Sequence, residues 1–202
     1  MSERIKQQQT DQPPSASVVL GFVENVLRGP RAGRLKELAI AAAFQIIASN
    51  SQPVEWVVVE SENQLCPGTQ FETDDPNRGK EVYRQVAIAI TGAVIDEAVT
   101  SATRGSNSPA HITIVTTDAI DPAVREHAAG VYQKTGGIEF AILDCLGFVR
   151  HFLYLFHRHR VAFLDAYQAL VLNEPESAAN FAFKQIFLAL LQAATAVSEV
   201  ES

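Results

Sequence analysis

The chain has 202 residues, 47% of them hydrophobic and 19% charged, with a formal net charge of −7. That size and balance fit one globular domain with room for a helical appendage. The negative charge excludes a broad cationic coat of the kind that binds nucleic acid non-specifically, though not a local basic groove.

No charge-free apolar run approaches the about 18 residues of a membrane span, and the N-terminus MSERIKQQQTDQPPSAS is too polar for a signal peptide. Cys66 and Cys145 stand far apart, without metal-ligand spacing. The expectation is a cytoplasmic protein with two reduced thiols.

Residues 1–17 are rich in Gln, Ser and Pro and read as a disordered tail. Residues 18–27 (VVLGFVENVL) have helical spacing, and Gly29-Pro30 ends it. Residues 34–49 (RLKELAIAAAFQIIAS) form an amphipathic helix with Leu35, Leu38, Ala42 and Phe44 facing a core. Residues 55–60 (EWVVVE) read as a strand. The segment 63–80 is turn-rich, with a short strand around Phe71 and a hairpin turn at 74–79.

A strand then covers 82–90, with Val86, Ile88 and Ile90 on one side and Tyr83, Gln85, Ala87 and Ala89 on the other. A helix follows at 95–103, a polar loop at 101–110 and a strand at 111–116 (HITIVT). Asp121-Pro122 opens a helix as N-cap and first helical position. It ends near Gly136-Gly137, and residues 138–143 are a last strand. One long helix is predicted over 146–172. The Asn173-Glu174-Pro175 turn breaks it, and a final helix covers 178–197.

This order predicts an α/β protein whose mixed sheet has helices on both faces. Its core would span 18–145 and its helical C-terminal part 146–202. No phosphate loop or nucleophile elbow is present. His157 and His159, two apart, make a poor metal pair on a helix. The large apolar residues of the last helices exceed what one stripe needs, so a helical subdomain that pairs with a second copy is expected.

The order of elements, RLKELAIAAAFQIIAS and the stretch GGIEFAILDCLGFVRHFLYLFHRHRVAFLDAYQALVLNEPESA together resemble the PD-(D/E)xK fold of many type II restriction endonucleases. More narrowly, they resemble the SacI-like restriction endonucleases, over most of 18–197. The resemblance implies a restriction-endonuclease-like fold. It also implies hydrolysis of phosphodiester bonds in double-stranded DNA with Mg2+, a homodimer matched to palindromic sites, and a cognate DNA methyltransferase.

In that family an Asp on the first hairpin strand and a Glu on the second hold the metal, and a Lys lies two residues beyond the Glu. Hard oxygen ligands suit magnesium, and the spacing of two puts Glu and Lys on one strand face. One register sets the Glu position at Ala87 and the Lys position at Ala89. A second sets them at Gln85 and Ala87. The upstream acid falls at Asp74 or Asp75, or at Gln70 if it lies on the strand around Phe71. An assisting helix Glu corresponds to Glu37.

Neither register supplies the anionic ligand or the lysine, through natural loss or deliberate replacement by Ala, so cleavage is expected to be weak or absent. A non-catalytic DNA-binding or assembly module is the alternative. A metabolic α/β protein with an accidental likeness is a third reading. Arg78, Lys80 and Arg84 on the hairpin, and Arg150, His157, Arg158 and Arg160 around FHRHR, are candidates for phosphate or base-edge contact.

Overall fold

A computed structural model describes residues 13–29, 32–50, 70–75, 79–86, 89–104 and 108–200, with the hairpin strands described by their backbone, Val82 excepted. The predicted strand at 55–60 lies outside these residues, as does the predicted tail up to residue 12. The chain forms two compact units. One joins residues up to 46 with those from 149 on, and the other covers 47–148. From the sequence, the first two helices were expected with the sheet, in a core running to 145. Instead they belong with the C-terminal helices.

Among the described residues the 47–148 unit holds a four-stranded sheet in the order β1-β2-β3-β4. The strands are β1 (Gln70–Asp75), β2 (Gly79–Val86), β3 (His111–Thr116) and β4 (Glu139–Asp144). The β1–β2 pair is an antiparallel hairpin, while β2–β3 and β3–β4 are parallel. Helix α3 (Gly92–Thr103) crosses from β2 to β3. Helices α4 (Pro122–Ala129) and α5 (Val131–Thr135) cross from β3 to β4. The architecture is mixed α/β.

Both crossovers pack on the sheet face that carries Ile114 and Ile142, burying Val94, Ile95 and Ala98 of α3 with Val124, Ala128 and Val131. Two successive parallel steps in the same direction, each of the same hand, put both crossovers on one face. On the other face Thr113 and Val115 are buried as well.

Local chemistry sets the ends of these elements. Thr91 caps α3 by accepting from Val94 N, and Asp121 caps α4 by accepting from Ala123 N at 2.8 Å with Pro122 following, as the sequence predicts. Gly136 (φ 74°) and Gly137 (φ 135°) turn the chain from α5 into β4 through backbone angles that side chains resist. The helix predicted over 95–103 starts earlier, at Gly92, because Thr91 supplies its cap.

The helical unit contains α1 (Ala16–Leu27), most of α2 (Ala32–Asn50), the end of α6 (Cys145–Leu155), α7 (Arg160–Asn173) and α8 (Phe181–Val200). Ser15 caps α1 through Val18 N. Phe22, Tyr167 and Phe187 meet edge to face at centroid distances of 5.3–6.2 Å. Such pairs add about 0.5–1.5 kcal/mol each beyond the area they bury. The Tyr167 hydroxyl donates to the Leu35 carbonyl at 3.2 Å, so this buried ring keeps its polar end satisfied.

The long helix predicted over 146–172 is two helices. A 3-10 turn, His157–His159, separates α6 from α7. No Gly or Pro marks the break. Phe152 and Phe163 are eleven residues apart, three turns of a continuous helix, so one buried stripe fits the unbroken reading equally well. In the structure these two rings lie 5.5 Å apart, and the Arg160 guanidinium donates to the Leu153 carbonyl at 3.2 Å, satisfying a group that the ended helix leaves open.

Candidate functional site

The hairpin register decides how the nuclease-like positions relate. Gln70 pairs with Arg84, Asp74 with Lys80 and Asp75 with Gly79. Asp74 and Asp75 therefore lie on β1, not in the turn where the DDPNRG composition put them.

Facing follows from the same pairing. Asp75 shares a face with Gln85, while Asp74 shares the other with Val82 and Arg84. Gly79, the partner of Asp75, is six residues along β2 from Gln85, about 20 Å at strand rise. A metal ligand at Asp75 and one at Gln85 cannot share one ion. Gln70, at the correct end of the hairpin, is not an acid.

Strand β2 ends at Val86. Ala89 lies beyond it, exposed, in the segment that enters α3. The placement of Ala89 as a strand residue is thus corrected. Of the two registers, the one with its Glu position at Gln85 keeps that position on the strand. Ala87 and Arg78 lie outside the described residues. Beside Gln85 in the ladder stands Val115, which is 0% exposed, so this face is closed at β3 rather than open as a cleft.

Sequence reading passed over the carboxyl end of the parallel strands, where ligands of open α/β sheets gather. Val86, Thr116 and Asp144 stand in one row there, with Asp118 just beyond. The side chains of Thr116 and Asp144 are engaged in shaping the backbone. The Thr116 hydroxyl accepts from Asp118 N at 3.1 Å, and the Asp144 carboxylate accepts from Gly147 N at 2.6 Å, capping α6. The signal for Asp144 was its place just before a helix.

Glu37 is also committed. Its carboxylate pairs with Arg34 at 2.7 Å, and the same guanidinium makes two hydrogen bonds to Glu174, at 2.7 and 3.0 Å. Arg34 holds the Glu174 carboxyl below the usual carboxylate range. No group of three potential metal-holding side chains occurs among the described residues. The residues placed here do not fit the magnesium site that the resemblance implies.

Comparison with protein-family models, curated proteins and solved structures finds no match to this chain.

The basic residues divide into two groups. Arg150, His157 and Arg158 are exposed, with His151 beside them, on the end of α6 and the turn that follows. Arg160 is half-buried and spends its guanidinium on backbone carbonyls, Leu153 at 3.2 Å and Pro14 at 3.5 Å. Lys80 and Arg84 are placed only by register, opposite Asp74 and Gln70. Among the described residues no helix is long and apolar enough to cross a membrane.

Proposed function

We propose that the chain is a restriction-endonuclease-like module that holds duplex DNA without cutting it. The observation that carries this reading is a run of four exposed basic side chains within nine residues of an otherwise acidic protein, Arg150 and His151 on α6 and His157 and Arg158 on the 3-10 turn that follows it. Arginine donors suit phosphate oxygens, which they can bind in a bidentate fork.

The hairpin followed by parallel β-α-β steps agrees with the element order of a nuclease fold. The hairpin register speaks for binding rather than hydrolysis, since Glu72 of β1 falls opposite Val82, on the other strand face from Gln85, and Asp75 falls opposite Gly79, six positions away. The chemistry proposed for the chain is therefore binding. A dimer matched to palindromic DNA, magnesium and a methyltransferase partner belong to the cutting enzyme that the resemblance implies.

The test is binding of a fluorescent duplex across a salt series, with and without magnesium, alongside plasmid cleavage. Binding that weakens with salt at a log–log slope of about −2 to −4 is expected from two to four phosphate contacts. Arg150→Ala/Arg158→Ala should flatten that slope by about 2. Salt-independent or absent binding rejects the reading. Efficient magnesium-dependent cleavage by the unaltered chain rejects its non-catalytic half. Gln85→Glu/Ala87→Lys and Ala87→Glu/Ala89→Lys restore the two registers, and cutting by either reveals a disabled nuclease.

A further inference from the structure

Helix α8 meets solvent with an uncharged face. Ala182, Ile186, Ala189, Ala193 and Ala196 are exposed, and Ile186 is 60% exposed. Their spacing of 4, 3, 4 and 3 is the 3.5-residue repeat of paired helices. No charged residue occurs between Lys184 and Glu199. The Lys184 ammonium is directed to its own unit, donating to the Leu172 and Glu174 carbonyls at 2.8 and 2.7 Å.

Alongside this ridge runs a groove between α1 and α8. It comprises two adjoining hollows of about 300 and 450 Å³ that share Asn25 and Leu190. Phe22, Phe183 and Phe187 give it apolar walls, and Gly21 leaves it wide, since a Cβ there would meet nothing within 4 Å. From Asn180 to Ala194 the lining spans about 21 Å of helix, room for roughly four turns of another.

We propose that α8 pairs antiparallel with α8 of a second copy of this chain, each helix lying in the groove between α1 and α8 of the other. The same helix supplies both a wall of the groove and the ridge that fills it, as a two-fold interface requires. In the antiparallel register Ile186 meets Ala196 of the second copy and Ala189 meets Ala193. Large sits against small, and the small pairs let the helices approach closely.

Charge selects the same occupant. A charged partner surface would lose its hydration against this face without compensation, whereas α8 itself brings none. Specific association needs about 1,000 Å² of buried surface, and a single antiparallel helix pair lies at the lower end of that, so a dimer that dissociates on dilution is expected.

Sedimentation velocity from about 1 to about 200 µM tests this. The unaltered chain should shift from monomer to dimer across that range. Ile186→Glu places a charge on the seam at an exposed site, and Gly21→Phe fills the groove from within. Each should raise the dissociation constant at least tenfold while leaving the helical circular dichroism unchanged. A chain that stays monomeric throughout, or a dimer that persists in either variant, overturns the proposal.

Discussion

The carboxylate of Glu174 is 11% exposed and faces a guanidinium that is half exposed. Its lowered pKa makes it a source of stability that depends on pH. The contribution is present above the unfolded carboxylate range, near 4.3, and is lost as pH falls through the lower folded value. Glu174→Gln should therefore cost about 1 kcal/mol at pH 7, near the upper end for a partly exposed pair, and progressively less below about pH 4. Urea unfolding of both proteins at the two pH values checks this, and equal midpoints at pH 7 would rule it out. Residues of this kind were poorly legible in the sequence. Glu174 reads as part of a turn, and Glu37 as the helix Glu that the resemblance would set beside the metal site. The guanidinium that joins them stands 140 positions from Glu174, where no local pattern reaches. Tyr167 was equally silent, because helical periodicity marks a buried ring but not the carbonyl that its hydroxyl finds.

At the level of elements, the sequence was most informative where a boundary has its own chemistry. Strand β3 was predicted to the residue, and Asp121-Pro122 opens α4 with the predicted cap. Strand β2 was predicted too long because alternation in VAIAI continues past Val86, while the Thr91 cap draws the chain into α3. The break between α6 and α7 was invisible because the aromatic stripe is continuous across it. Its maintenance is assigned to Arg160, and that gives a contrast between two neighbouring arginines. Arg160→Met should cost about 1 kcal/mol through the lost bond to the end of α6. Arg158→Ala should leave stability within about 0.5 kcal/mol, as expected for an exposed site. Thermal melts of the two variants decide it, and a stable Arg160→Met would assign the break to packing alone.

For the whole molecule, element order showed an α/β chain with a helical C-terminal part, but not that α1 and α2 join that part. Amphipathic helices advertise a buried face, not the neighbour that buries it. The sheet unit is thus enclosed in sequence by the two halves of the helical unit. That arrangement sets an order in time. Helix α1 packs with α8, so its apolar stripe must wait for a partner made some 150 residues later. Closing so long a loop carries an entropic cost that local hairpin and β-α-β contacts avoid. During synthesis the sheet can assemble first, while the early helices remain exposed and dependent on protection from aggregation. Pulse-labelled hydrogen exchange during refolding should find amides of β3 and β4 protected before those of α1. Protection of α1 first would show that the two ends of the chain meet before its middle has folded.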